Sequence, residues 1–238
     1  MRIKFRCLLL LILLLSTNIA LSSSQYDWEK VRDQDGIQVY LKKFWAESVK
    51  SFKGVIHIHA SAASLLAVIT DISACPDWIY HCKNPHLLLR KSFSECYHYQ
   101  VHQLPFPAKN REFIFYSKII RLPETGAIHI IMNAVADFCL LQKQACSVIE
   151  QSSLPRVRHS HGYYLLEPIA HNMTRITWVH HTDPGDDLPR WLTNLLIQEM
   201  PFQTLKGLRK KVLELKYQKA KLIINRHGQI LALSTSYE

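Results

Sequence analysis

Glycine is scarce and scattered in this chain. Seven occur in 238 residues (Gly36, Gly54, Gly126, Gly162, Gly185, Gly207 and Gly228), and no two lie close together. Phosphate-cradling loops and dinucleotide fingerprints need clustered glycines, so that the backbone can approach the pyrophosphate; both are excluded. A G-x-S-x-G nucleophile elbow and an H-E-x-x-H zinc helix are also missing. Beyond the first residues no apolar run approaches the roughly 20 residues that a membrane-spanning helix needs. Internal repeats and low-complexity linkers are absent too. What remains is a chain with 48% hydrophobic residues, enough for one domain with a substantial core.

At the N-terminus Arg2, Lys4 and Arg6 precede "CLLLLILLL" and then the small, polar "STNIALSSS". A basic segment, a short apolar run and small residues at Ala20 and Ser22 predict a signal peptide over 1–22 with a cleavage site after Ser22, the alternative being an uncleaved anchor, for which the apolar run is short. Cys7 precedes the apolar run, so it is not placed for lipoprotein processing. The mature protein is therefore expected to be exported, periplasmic or secreted, and soluble. Removing three of the ten net positive charges leaves +7. That balance suits anionic surfaces, lipid headgroups included, without being diagnostic. A nucleic-acid partner would rest on charge alone and is not expected. Five cysteines remain: Cys75, Cys82, Cys96, Cys139 and Cys146. The odd count predicts at most one or two disulfides, Cys75 with Cys82 being the candidate pair, and at least one free buried thiol.

"GIQVYLKKF" (36–44) and "SVKSFKGVIHIHA" (48–60) read as two strands. "SAASLLAVITDI" (61–72) reads as a helix capped by Ser61, with Leu65, Leu66, Val68 and Ile69 buried, and "CPDWIYH" (75–81) as a second short helix opened by proline. About six strand-like runs follow, rich in aromatic and β-branched residues and separated mostly by Pro, Asn or Gly. The last helix is expected to be capped by Asp187, with Pro189 in its first turn. Leu188, Trp191, Leu192, Leu195 and Leu196 form one stripe on it; Phe202, Leu205, Leu208, Val212 and Leu215 form another. Pro201 between them should kink or break it. The order is that of an α+β fold.

Four of these segments, in this order, resemble the START family of lipid-transfer domains: "DGIQVYLKK", "LPFPAKNREFIFY", "GYYLLEPI", and "HTDPGDDLPRWLTNLL" joined to "PFQTLKGLRKKV". The resemblance covers roughly 26–217 and implies a lipid-binding domain over 23–217. It implies a helix-grip fold, a curved antiparallel sheet wrapped around a long C-terminal helix, which encloses a hydrophobic tunnel for one lipid. It also implies carriage rather than catalysis. The N-terminal helical extension of many animal members is missing, as in a minimal bacterial-type member. The tail, 218–238, has no counterpart and reads as either a hairpin about "NRHG" or a frayed end.

Strand alternation picks the candidate ligand-binding side chains, because residues two apart share a face. It points to Tyr97 and Tyr99, to Phe113 and Met132, and to Trp178 and His180; His161 and Tyr163 belong to a strand whose two faces are equally apolar. Trp191, Leu195 and Phe202 are the helix candidates. Arg111 would either pair with Glu112, Asp137 or Glu167 or meet a lipid phosphate or hydroxyl. The pairs His57/His59, His159/His161 and His180/His181 suit zinc only weakly, since no third ligand has recognisable spacing. No cofactor is expected, and the chain is expected to act as a monomer. Lys206, Arg209, Lys210, Lys211, Lys216 and Lys219 form either a solvated helix face or a surface for transient membrane contact. The rival to a carrier is a polyketide cyclase-like enzyme using Tyr99, Arg111, His161 and Trp178. It would need convergent acid and base groups, whereas the expected inner rows are largely apolar.

Overall fold

Ile37, Val39 and Leu41 alternate with Gln38, Tyr40 and Lys42, the period that a strand with one buried face requires. The computed structural model describes residues 28–42, 51–149, 152–185 and 188–235. It makes this segment β2 (Ile37–Lys42), with the three aliphatic side chains buried. The expected signal peptide 1–22, Phe44, 48–50 of the next expected strand and the expected cap Asp187 lie outside the described residues. An unexpected strand, β1 (Trp28–Gln34), precedes β2 and pairs with it. Its sequence, WEKVRDQ, is too polar to show a period. Asp35 and Gly36 turn the chain between the two with φ of +54° and +73°, so Gly36 belongs to a turn rather than to the strand.

β3 (Ser51–Ile58) leads into α1 (Ala62–Thr70), where the Ser61 hydroxyl accepts a 3.0 Å bond from the Ser64 N–H as an N-cap. α2 (Cys75–Trp78) carries Pro76 in its first turn. Then come β4 (Cys82–Ser92), β5 (Glu95–His102), β6 (Arg111–Arg121) and β7 (Ile128–Ala134). α3 (Phe138–Leu141) and a 3₁₀ turn (Lys143–Cys146) follow, before β8 (His159–Ala170) and β9 (Met173–Asp183). All nine strands join one antiparallel sheet in the order β1-β2-β3-β9-β8-β7-β6-β5-β4. Two disulfides form. Cys75–Cys82 ties α2 to β4, and Cys139–Cys146, which the spacing did not single out, closes the turn after α3. Cys96 is free but only half-buried.

The sheet is held by α4 (Arg190–Lys211). Pro189 is the residue that precedes its first turn, so the proline sits one step earlier in the helix than expected. The helix runs through Pro201 without a break. Proline removes one backbone bond there, and the fold compensates by packing. A methyl group at Gly54 of β3 would come within 3.3 Å of the Pro201 Cβ and 2.7 Å of the Leu205 Cδ1, so the bare backbone of Gly54 is the seat on which this part of α4 rests. Phe202, Leu205, Leu208 and Val212 are buried beyond it in the main core with Ile37, Val39 and Ile56. Leu215 is exposed, because α4 has ended and α5 (Leu215–Gln218) begins on a new axis.

The tail is a hairpin, β10 (Ala220–Ile224) and β11 (Ile230–Thr235), turned where the Asn225 carboxamide oxygen accepts from the N–H groups of His227 and Gln229. It is docked rather than frayed: Ala220 and Ile230 are buried, and the Ser94 hydroxyl donates to the Ile230 carbonyl at 3.0 Å.

Gly207 marks the crossing of α4 over α2, where an added Cβ would run into the Trp78 carbonyl and lie 2.9 Å from its Cα. Alanine is the better helix former by about 1 kcal/mol, but it has no room. Gly207→Ala should therefore lower the unfolding free energy by about 1–3 kcal/mol, the usual range for overpacking, in a urea titration. A gain in stability would show that the crossing is looser than described.

Candidate ligand cavity

The register carries particular side chains into the concavity of the sheet. One row of cross-strand partners runs Phe52, His180, Gly162, Met132, Ser117, Cys96 and Arg90 from β3 to β4. The next row on one side holds Trp178, Tyr164, Ile130 and Ile119. On the other side His98 faces Phe115, then Gln100 faces Phe113, and His102 faces Arg111. These rows line an internal cavity with about 180 Å³ of space for the centres of water-sized spheres, some ten times what one water needs. α1 and α2 wall it with Ile69 and Trp78, and the first half of α4 covers it with Leu196, Ile197 and Met200. The wall is mostly apolar toward α1 and α4, where Thr70, Asp71 and Thr193 are the exceptions, and polar where β5 and β6 contribute His98, Gln100, His102, Arg111 and Ser117.

Of the expected site residues, Arg111, Phe113, Met132, Trp178 and His180 line this space. Tyr97 and Tyr99 point the opposite way. The outer face of β5 and β6 is covered by α3 and the disulfide-closed turn, so Tyr99, Val101 and Ile114 pack with Phe138, Cys146 and Ile149 in a second core. Tyr97 stacks on Phe138 at 4.4 Å, and the Tyr99 hydroxyl donates to Glu112 at 3.0 Å. On β8 the inner row is Ser160, Gly162, Tyr164 and Leu166. His161 and Tyr163 face outward, against His181 at 5.0 Å and His129 at 4.8 Å between ring centroids. Trp191 and Leu195 are exposed, by 59% and 48%, because the side of α4 turned to the sheet here is that of Leu192, Leu196 and Met200. Phe202 is buried outside the cavity, under the Arg32 guanidinium at 3.4 Å. The lining residues missed include Phe52, Trp78, His98, Gln100, His102 and Ser117.

Arg111 is buried, and its side chain is engaged by the protein. Its Nε donates to the Pro184 carbonyl at 2.8 Å and its Nη1 to the Lys109 carbonyl at 2.7 Å, which pins the 103–110 loop to the turn before α4. The three carboxylates considered for it are held by other arginines: Glu112 by Arg156, Asp137 by Arg158 and Glu167 by Arg175. His180 and Ser160 are hydrogen-bonded at 2.8 Å, Ser160 continues to Thr182 at 2.8 Å, and Gln100 Nε2 meets His102 Nε2 at 2.7 Å.

Burial holds three of these histidines neutral. It pushes His180 down to about 3, with help from His102, His161 and His181. His98 falls to about 4 through burial and the nearby Arg90 charge, and His102 to about 4 through burial and His81. Buried polar atoms without a hydrogen-bond partner, among the described residues, are Trp78 Nε1, His98 Nδ1, Ser117 Oγ, Trp178 Nε1 and His180 Nδ1. All five belong to residues of the cavity wall. No group of three or more His, Cys, Asp or Glu among the described residues is placed to hold a metal ion, and no described helix is long and apolar enough to cross a membrane.

The geometry has solved counterparts. A STAR-related lipid transfer protein from Xanthomonas axonopodis is 27% identical and superposes with a TM-score of 0.68, over 78% of this chain and 98% of that one. Human StAR-related lipid transfer protein 5 shares the fold at 15% identity, with a TM-score of 0.64 over 80% of this chain and 88% of that one. An uncharacterized protein of Pseudomonas aeruginosa is 28% identical over 186 residues, 77% of this chain and 85% of that protein. The START domain profile matches residues 17–220, and with the sheet, the gripping helix and the cavity in place the chain belongs to the START domain family.

Proposed function

We propose that this protein is an exported lipid carrier that holds one hydrophobic molecule between its sheet and α4 and releases it at membranes, without chemical change. The observation that carries the reading is the largely apolar cavity, whose wall includes Phe52, Ile69, Trp78, Phe113, Phe115, Ile130, Met132, Tyr164 and Trp178. Each methylene moved from water into such a wall contributes about 0.8 kcal/mol, so an alkyl chain supplies ample affinity. Membership of the family and the 27% identical Xanthomonas lipid transfer protein support the same substrate class. Export is supported by the signal-like N-terminus and by two disulfides, which persist in oxidising compartments.

The polar wall does not favour an enzyme. A general base works best with a pKa near the operating pH, and imidazoles held at about 3 to 4 are weak bases. Asp71, the carboxylate on the lining, is already bonded to Ser73, Tyr217 and Lys216.

Membrane contact fits the start of α4 better than its basic end. Lys206, Arg209, Lys211 and Lys216 are tied to Asp35, the Asp35 carbonyl, Asp77 with Glu214, and Asp71. By contrast Phe106 in the 103–110 loop and Trp191 and Leu195 at the start of α4 are exposed, and Leu104 and Leu188, near them in the chain, line the cavity. Scattered exposed apolar residues are ordinary, but three so close in the chain to cavity-lining residues suit insertion among headgroups.

Two measurements test the reading. Organic extracts of purified protein should contain one co-purifying lipid species or class near one equivalent by mass spectrometry, and Ile130→Trp, which fills the cavity, should lose it while remaining folded; an Ile130→Trp variant that retained it would place the ligand elsewhere. The three buried histidines should also make stability pH-dependent. Their folded values lie below the usual 6.5, so the unfolded chain takes up protons first, and stability is complete above about pH 6.5 and falls toward pH 4. Each can contribute up to about 1.4 kcal/mol per pH unit in that window. Thermal melting at neutral pH and near pH 5 reads this directly, and a melting temperature unchanged on acidification would contradict it.

A further inference from the structure

His98 and Ser117 lie on adjacent strands of the cavity wall. His98 is directly opposite Phe115 and Ser117 opposite Cys96, which makes the two diagonal neighbours on one face. Diagonal partners stand roughly 7–8 Å apart between Cα atoms, with the side chains leaning closer, so one oxygen can hydrogen-bond to both. Each residue is more than nine-tenths buried, at 6% and 8% exposure, and each carries an unpartnered polar atom, His98 Nδ1 and Ser117 Oγ. Their surroundings are otherwise oily: Phe115 lies 5.7 Å from the His98 ring, and Met132 is the cross-strand partner of Ser117. Leaving such atoms unpaired is costly, and fewer than one in ten buried polar groups ordinarily does so. A serine hydroxyl reaches a new acceptor or donor by turning about one bond.

The charges around the pair decide what it can take. Arg111 is committed to two backbone carbonyls, and Asp71 to Ser73, Tyr217 and Lys216. Arg90 reaches the lining from an exposed position, so its charge, though felt at His98, is weakened by water. His98 stays neutral at physiological pH because of burial and the Arg90 charge. His98 and Ser117 are themselves uncharged, so an anion bonded to this pair would exchange its hydration for neutral partners, whereas an uncharged oxygen loses far less and gains two hydrogen bonds.

Given that the cavity carries a lipid, we propose that His98 and Ser117 form a neutral hydrogen-bonding site for a single uncharged oxygen, a hydroxyl or a carbonyl, on an otherwise apolar ligand. The carried molecule is then a neutral lipid alcohol, ketone or ester rather than a fatty-acid anion or a phospholipid. Its oxygen sits at the β5–β6 wall, and its hydrocarbon extends toward Ile130, Trp178 and the first half of α4.

The test is calorimetric titration of the purified protein with decan-1-ol, decanoate and decyl phosphate near neutral pH. Decan-1-ol should bind about tenfold or more tighter than either anion. Ser117→Ala and His98→Phe should each cut the alcohol's affinity about tenfold, the size of one buried hydrogen bond, and narrow its advantage over decanoate. Ser117→Thr and His98→Gln, which keep a hydrogen-bonding group, should retain more of the advantage, so that loss of folding cannot mimic the result. Equal or tighter binding of either anion overturns the proposal while leaving carriage intact, and so does an alcohol preference that survives both Ser117→Ala and His98→Phe. Failure of all three probes to bind overturns this site and the carrier reading together.

Discussion

The seat of α4 on Gly54 is the contact on which the rest of the structure depends. Because β3 presents bare backbone there, Pro201 and Leu205 can approach the sheet closely, and the second half of the helix is fixed on β2 and β3. A helix anchored at one end of a curved sheet cannot follow the sheet at the other. Its first half is left standing over β5 to β9, with Leu196, Ile197 and Met200 facing a space that the strands do not fill. Interiors normally pack to crystal-like density, so a space of this size is a built feature and not slack.

The polar groups in that wall follow from a second constraint. β5 and β6 are buried on both faces, since α3 and the Cys139–Cys146 turn cover the outer side. The aromatic row of β5 serves the outer core, and the row carrying His98, Gln100 and His102 is left to the cavity. Burial keeps these imidazoles uncharged, and paired contacts such as Gln100 with His102 and His180 with Ser160 satisfy part of their hydrogen-bonding capacity. The outcome is an oily cavity whose polar wall combines neutral imidazoles, an amide and a hydroxyl with the hydrogen-bonded Arg111 guanidinium, and the proposed carriage of an amphiphile rests on that wall.

Much of this was legible in the sequence because it is written in local chemistry. The Ser61 cap, Pro76 at the start of α2, the alternation in β2 and β9 and the four segments shared with the family all lead to the α+β helix-grip fold. The inward row of β9, with Trp178 and His180, follows from the same alternation. β5 was misread because the rule that apolar side chains face the core assumes one core. With two, Tyr97, Tyr99 and Val101 chose the other. Antiparallel pairing points to the other row: with Phe113 a ligand-facing candidate, its partner Gln100 faces inward too, and His98 and His102 share that face. Trp191 and Leu195 misled for another reason. A helix covering a cavity buries a narrow strip, and the remaining apolar residues of the broad expected stripe are left at the surface.

The central claim is that the concave face encloses open apolar space under the first half of α4. Crystals of the protein pressurised with xenon test it most directly, since xenon settles in dry apolar voids. The account predicts xenon sites, or the electron density of a bound elongated molecule, between Ile130, Met132, Trp178 and Met200. Density showing that volume filled by the protein's own side chains would contradict it.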